Sequence, residues 1–392
     1  MFWPTKKLGE LEDEGIIKLG RGKVISKKDL VENPGDYPVY SASRLNQGEF
    51  GRYGKYMFDE ELITWSIDGG GNFFYRPKHK FSVTNVCGWL RILKPEVLDY
   101  KYLYFTLDLI HKRLYFNYIF KAHPSVIRDK YEIPLPPLEI QKRIVARIEE
   151  LFEKIDKAKQ LREKALEETE NIFPLTLEHI FRKAEKKYKK QKIEEILELN
   201  QSGIWGDEPT DLKNSYPIIR STEITYEGKL KLDSVVFRKV NKEKVDKYVL
   251  HEGDILIVKS SGSPELIGRC TLFRHPKEDK KIYLFSNFIQ RLRPNAKIVT
   301  SEFLYYFLNF EGKKFVQYLM TTTTGLRNLP IKQYVKLEIP LPPLSEQKKI
   351  VAYLDNLREK IEKLKQLQQK QLEELTELKN SILEKAFKEE LL

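Results

Sequence analysis

The chain has 392 residues, of which 41% are apolar, 12% aromatic and 32% charged. That composition suits a folded protein of two or more domains and excludes a disordered one. No run approaches the roughly 18–20 apolar residues that span a bilayer. Met1-Phe2-Trp3-Pro4-Thr5-Lys6-Lys7 also lacks the basic start and apolar stretch of a signal peptide. A cytoplasmic protein with no membrane partner is expected.

In chain order, residues 1–137 predict a first domain of mixed strands and helices. Leu62-Ile63-Thr64-Trp65 predicts a buried strand that runs into the small-residue loop Ser66–Asn72. Tyr102–Phe120 predicts an amphipathic aromatic helix, and Lys121–Arg128 a polar loop before a proline-rich hinge. Residues 138–182 then predict one long helix. Its apolar residues Ile144, Ile148, Leu151, Ile155 and Ala158 recur at steps of three and four, the spacing of helices that pair along a narrow stripe. Pro174 predicts a kink there, or a fresh short helix over Leu175–Arg182.

Residues 183–342 repeat the plan as a second mixed domain. Asp254-Ile255-Leu256-Ile257-Val258 predicts the buried strand, Lys259-Ser260-Ser261-Gly262-Ser263 its small-residue loop, Glu302–Met320 the aromatic helix and Thr321–Asn328 the polar loop. Residues 343–392 predict the second long helix, with Ile350, Leu354, Leu357, Ile361 and Leu364 as its stripe. Both stripes turn polar at the same register, at Arg162 in one and at Gln368 and Gln371 in the other.

The halves are a duplication. Ile133-Pro134-Leu135-Pro136-Pro137-Leu138 recurs letter for letter as Ile339-Pro340-Leu341-Pro342-Pro343-Leu344. The ungapped match continues through Gln141-Lys142 and Gln347-Lys348 to Leu166-Glu167-Glu168 and Leu372-Glu373-Glu374. Upstream of each copy the likeness thins to scattered positions, such as Tyr102-Leu103-Tyr104-Phe105 against Phe303-Leu304-Tyr305-Tyr306. The fold class expected is α+β: two mixed domains separated by two long helices that pair as an antiparallel coiled coil. Antiparallel is the easier closure because a whole domain intervenes between them. A helix solvated on all sides is the alternative, and two apolar stripes in one chain argue against it. At 1.5 Å per residue such helices extend about 55–60 Å.

The formal charge of +12 is unevenly spread. Residues 138–182 carry 9 Lys/Arg against 10 Asp/Glu and residues 344–392 carry 10 of each, which leaves +13 for the two domains. A polyanion is the natural partner of those domains.

Catalytic motifs are missing. Asn33-Pro34-Gly35-Asp36-Tyr37 lacks the second proline of an adenine methyltransferase motif and has no glycine-rich methyl-donor loop with it. Gly69-Gly70-Gly71 is not followed by Lys-Ser/Thr, so it is no phosphate-binding loop. His79, His111, His123, His179, His251 and His275 have no metal-ligand spacing. Cys87 and Cys270 have no partner at ligand spacing and read as buried free thiols. No catalytic and no metal-binding residue is assigned. High Lys, Glu and Ile usage suggests a thermophile.

The tandem Ile-Pro-Leu-Pro-Pro-Leu…Gln-Lys…Ile-Val elements, each closing a variable domain, resemble the specificity subunits of type I restriction-modification systems over the whole chain. The resemblance implies a non-catalytic subunit whose two domains each read one half of a split, asymmetric site on double-stranded DNA. It implies two methyltransferase (modification) subunits bound on the helices and restriction-translocation subunits in the full complex. S-adenosylmethionine, ATP and Mg would then be held by those partners, and no cofactor by this chain. Separate specificity chains also occur in some type II-like systems. A scaffold with a coiled-coil dimerisation rod, or an RNA-binding protein, is the alternative reading of the residues. A scaffold has no need for positive charge confined to the domains, and a single-strand RNA reader has none for a two-site spacer.

Candidate DNA-binding residues are basic, amide or hydroxyl side chains in or near loops flanked by small residues. In the first domain these are Arg21, Lys23, Arg44, Arg52, Asn72, Arg76 and Lys78. In the second they are Arg220, Lys259, Ser260, Ser261, Ser263, Arg269, Thr322, Thr323 and Arg327. Arg and Asn suit guanine and adenine edges, while Lys more often sits on phosphate.

Overall fold

One short antiparallel strand pair clasps the beginning and end of each globular part, and each clasp delivers the chain into a long helix. The computed structural model describes residues 3–43, 45–68, 72–114, 121–209, 215–225, 228–277, 279–322 and 328–387, with backbone only at 320–322. The chain forms two compact units, Met1–Lys164 with Gln368–Leu392, and Ala165–Leu367.

The elements of the first half are β1 (Thr5–Lys7), α1 (Leu8–Asp13), β2 (Ile17–Arg21), α2 (Lys27–Glu32), β3 (Tyr37–Tyr40), β4 (Glu49–Tyr53), β5 (Phe58–Ser66), β6 (Phe73–Val83), β7 (Cys87–Ile92), α3 (Tyr100–Arg113), α4 (Pro124–Lys130), β8 (Glu132–Pro134) and α5 (Leu138–Lys187). Strands β2-β7-β5-β6-β3-β4 form one sheet, antiparallel except for the β3–β6 pair, and β1 pairs with β8. The sheet curls back on itself: Lys23, just past β2, bridges Thr84, just past β6. A Cβ on Gly22 would lie 2.0 Å from the Val83 carbonyl oxygen, so only glycine allows this closure. Trp65, fully buried, anchors the core and donates its indole N–H to the Ala122 carbonyl at 2.7 Å. The expected polar loop at 121–128 is half helix, because Pro124 starts α4 at its first turn. The aromatic helix ends at Arg113, and its expected continuation over 115–120 lies outside the described residues.

The second half runs β9 (Lys190–Lys192), β10 (Leu197–Ser202), β11 (Ser215–Ile219), β12 (Val236–Lys239), α6 (Lys242–Tyr248), β13 (Ile255–Val258), β14 (Cys270–Leu272), β15 (Leu284–Phe285), β16 (Ile289–Pro294), α7 (Ser301–Phe307), α8 (Lys313–Thr322), α9 (Ile331–Tyr334), β17 (Glu338–Pro340) and α10 (Leu344–Phe387). Its sheet β10-β16-β13-β14 has the order of β2-β7-β5-β6, and β17 pairs with β9 as β8 does with β1. The long β6 of the first half is split here. Residues 273–283, which include Pro276, separate β14 from β15, so β12-β11-β15 stands as a separate sheet. A π-turn at Leu308–Gly312 joins α7 to α8 where one aromatic helix is expected.

The duplicated glutamine explains the repeated sequence. Gln141 and Gln347 are fully buried. Gln141 Oε1 accepts the backbone N–H of Asp99, the N-cap of α3, at 2.9 Å. Its Nε2 donates to the carbonyls of Val97 at 2.9 Å and Pro136 at 2.8 Å. Gln347 repeats all three bonds, accepting from Thr300, the N-cap of α7, at 2.8 Å and donating to Ile298 at 3.0 Å and Pro342 at 2.9 Å. One side chain thus ties the aromatic helix to the proline hinge and to the first turn of the long helix.

The α+β class and the antiparallel pairing of two long helices are observed. Each unit shows the pairing by itself. In the first, Lys379 of α10 reaches Asp156 of α5 at 2.6 Å, and Leu375, Ile382, Leu383 and Ala386 enter the core that holds Ile144, Ile148, Leu151 and Ile155. In the second, Lys365 meets Glu170 at 2.8 Å, and the Arg358 guanidinium lies 4.9 Å from the Phe173 ring centre. The partners differ from the sequence expectation. Ile350 and Leu354 pack with Phe173, Leu177 and Phe181, not with the Ile144–Ala158 stripe; Ile361 is buried, Ala158 and Leu357 are half-buried and Leu364 is exposed. The glutamine tie presses the first turns of each long helix onto the aromatic helix of its own half, which uses up that stripe locally. Arg162 is exposed, Gln371 half-buried and Gln368 buried.

Pro174 does not start a fresh helix: α5 is one 50-residue helix of about 75 Å that runs through it and continues five residues past 182. Proline removes a single intrahelical hydrogen bond. Burial of Leu177 and Phe181 beyond it holds the helix together.

Replacing Gln347 with Ala should leave two carbonyls and one N–H buried without partners and cost about 3 kcal/mol. Chemical denaturation of the full chain measures this. Unchanged stability would show that the bonds are incidental.

Candidate nucleic-acid interface

The point where the sheet of the first half closes, and the matching point between the two sheets of the second, each gather loop backbone from four places. In the first unit the Gly22 N–H donates to the Cys87 carbonyl at 3.1 Å, Lys23 to Val83 at 3.2 Å, and Thr84 to Tyr40 at 2.9 Å. Ile67, just past β5, donates to the Val86 carbonyl at 3.0 Å and accepts from Ala122 at 3.0 Å. The second unit copies this bond for bond. Gly203 donates to Ile289 at 3.2 Å, Ile204 to Phe285 at 2.9 Å and Ser286 to Ile219 at 2.9 Å. Lys259, just past β13, donates to Phe288 at 2.9 Å and accepts from Leu329 at 2.6 Å. A Cβ on Gly203 would lie 2.2 Å from the Phe285 carbonyl oxygen, the same close approach as at Gly22.

Several sequence candidates meet at these closures. Arg21 and Lys23 are exposed at the end of β2, and the Asn72 carbonyl accepts the Ser66 N–H at 3.1 Å, which closes the loop after β5. Lys259 and Ser260 leave β13, and the Ser260 hydroxyl donates to Asn328 at the end of the polar loop. Lys259 Nζ donates to the Ser202 hydroxyl at 2.6 Å, and partial burial lowers its pKa below the usual lysine value. Ser261 Oγ accepts the Ser263 N–H at 3.1 Å, and Arg269 Nε donates to the Glu265 carbonyl at 3.0 Å across the same loop.

Other candidates are set apart. Arg52 lies on β4, at the opposite edge of the sheet order from β2, and pairs with Glu49 at 3.2 Å. Lys78 is exposed on β6. Arg220 is spent on Glu223, a fully buried carboxylate that its guanidinium holds at 2.6 Å. Arg44, Thr323 and Arg327 lie outside the described residues, as does the side chain of Thr322.

Arg76 is a correction. It is only 2% exposed, with its guanidinium 3.5 Å from the Tyr40 ring centre and Nε donating to Thr64 Oγ1 at 2.9 Å. Burial lowers its pKa, and the rings and hydrogen bonds keep the charge tolerable. It is a core residue, out of reach of a surface ligand. Arg291 has the same character in the second half, fully buried and donating to the Val249 and Lys247 carbonyls.

Sequence reasoning missed the turns at the closures themselves. Thr84-Asn85-Val86-Cys87 and Ser286-Asn287-Phe288-Ile289 occupy the same place in the two halves. The signal was a hydroxyl residue, an asparagine and two apolar residues before a strand, too short to stand out without the fold.

Cys87 and Cys270 are free and buried, and burial pushes both thiols up to about 12, which leaves them unreactive at neutral pH. Among the described residues no group of three or more His, Cys, Asp or Glu is placed to hold a metal ion, and no helix is long and apolar enough to cross a membrane.

The family model for the type I restriction modification DNA specificity domain matches residues 3–167 and 185–374. Each match takes in one globular part and most of the long helix that follows it. A putative type I specificity subunit of Mycoplasma pneumoniae is 40% identical over 144 residues, 36% of this chain and 46% of that protein. The chain therefore spans about half the length of that relative. The specificity subunit of the Escherichia coli type I restriction enzyme EcoKI is 23% identical over 412 residues, 96% of this chain and 87% of that protein. Among solved structures, a chain described under complex assembly and conformational transition of the type I R-M system superposes with a TM-score of 0.72 at 21% identity, covering 98% of this chain and 97% of that one. The HsdS subunit from Thermoanaerobacter tengcongensis gives a TM-score of 0.57 at 20% identity, covering 99% and 97%.

Replacing Arg76 with Ala should cost about 2–3 kcal/mol through lost packing and unpaired acceptors, while Lys23→Ala leaves stability unchanged. Denaturant titration of both variants checks the division. Equal effects would contradict the burial argument.

Proposed function

The chain belongs to the family of type I restriction modification DNA specificity domains, and we propose that it is the subunit that reads a bipartite, asymmetric DNA site for partner enzymes. The observation that carries this is one closure point built twice, in hydrogen bonds that correspond across the two halves while the side chains around them differ. Two unlike half-sites require that combination, a common frame with separate base-reading surfaces. The +13 charge outside residues 138–182 and 344–392 suits attraction to phosphate.

In this reading Arg21, Lys23 and Asn72 in one half, and Lys259, Ser260, Ser261, Ser263 and Arg269 in the other, contact the duplex. The long helices carry two methyltransferase subunits, which hold S-adenosylmethionine and flip the target adenine out of the stack. A restriction-translocation subunit that uses ATP and Mg completes the assembly. The side chains of this chain position DNA and take no part in bond making, in keeping with the absence of a nucleophile-base pair or phosphate-binding loop in the sequence.

The purified chain with methyl donor and DNA should transfer no methyl group; turnover with partner proteins absent would overturn the non-catalytic role. Exchange of residues 1–132 for the equivalent domain of a relative, in cells that supply the methyltransferase, should alter one half of the methylated motif only. Sequencing of methylated DNA reads the result, and a change in both halves or in neither would refute divided recognition.

A further inference from the structure

The turns Thr84–Cys87 and Ser286–Ile289 are clamped at every position but one. Thr84 and Ser286 are buried, with their N–H groups on Tyr40 and Ile219. Cys87 and Ile289 are buried and close the turns with N–H bonds to the Thr84 and Ser286 carbonyls, both at 2.9 Å. The Val86 and Phe288 carbonyls receive the strand ends at Ile67 and Lys259. The exposed residue common to both turns is the asparagine.

Asparagine in a turn usually has a local reason, either a left-handed backbone or a side-chain bond to its own turn. Neither applies here. Asn85 and Asn287 are not among the residues of positive φ, and neither carboxamide has a hydrogen-bond partner among the described residues. Both halves therefore keep a carboxamide free of protein partners at the same solvent-facing position, although the next two residues have changed from Val-Cys to Phe-Ile. The surroundings suit a nucleic acid: exposed Lys23 bridges Thr84 beside one turn, and Phe288, 51% exposed, adjoins the other. A carboxamide presents one donor and one acceptor in a plane, the complement of the N6 and N7 edge of adenine in the major groove.

We propose that Asn85 and Asn287 are specificity-determining residues, each setting its carboxamide against the edge of one adenine in its own half-site. This rests on the reading of the chain as a bipartite DNA reader. The test is to co-express the full chain, Asn85→Ala or Asn287→Ala with the methyltransferase subunits of its own cell and to sequence the methylated DNA. The wild-type chain should yield one split motif. Asn85→Ala should relax one A·T position in one half by about tenfold or more, and Asn287→Ala one position in the other half. Melting temperatures should be unchanged, since both side chains are exposed. Variants that keep the wild-type motif at full stringency, that relax the same half, or that melt well below wild type would overturn the assignment. Absence of any split motif with the wild-type chain would instead remove the reading on which the assignment depends.

Discussion

A buried carboxamide has no water to fall back on, so every polar atom of Gln141 and Gln347 must be matched by protein. Each is matched by groups from three places: the N-cap of the aromatic helix, the residue two positions before it, and the proline hinge. The consequence is a joint with little freedom between a globular part and the first turn of its long helix. The prolines assist because they hold the hinge extended, which sets the Pro136 and Pro342 carbonyls on the glutamine Nε2. This is why the hinge and helix start are repeated nearly letter for letter while the domains ahead of them have drifted.

The second constraint is the closure in each half, within one curled sheet in the first and between two sheets in the second. Gly22 and Gly203 touch carbonyl oxygens so closely that any side chain would force the strand ends apart. With that contact kept, the rest of the sheet tolerates change. One half spans the closure with a single long β6, the other with β14 and β15 on either side of an insertion. A frame held by backbone hydrogen bonds lets side chains and loop lengths vary, as a pair of readers for unlike sequences requires.

Charge behaves differently in the two parts of the molecule. On the long helices, lysines and glutamates pair at three- and four-residue spacing, as Lys154 with Glu150, Lys157 with Glu153 and Lys363 with Glu359, all well solvated. In the domains the positive excess is partly internal. Arg76 stacks between aromatic rings and Arg291 sits at 3.7 Å from buried Asp254. A count of basic residues therefore overstates the positive surface, and burial separates structural arginines from those free to meet a ligand.

The sequence alone determined the duplication, the long helices, the strands that lead into small-residue loops and the family resemblance, because each rests on local repetition or on periodicity along the chain. It also determined that the two long helices pair antiparallel. Only the tertiary structure decided which faces pair, because the glutamine tie that draws Ile144–Ile155 and Ile350–Leu354 beneath their own halves joins residues more than forty positions apart. It carried α5 through Pro174, since burial of Leu177 and Phe181 outweighs one lost hydrogen bond. It withdrew Arg76 from the surface and brought forward Asn85 and Asn287, whose equivalence is written in backbone bonds between distant strands. Periodicity records what a residue does to its neighbours in sequence; burial and closure depend on partners that sequence spacing does not reveal.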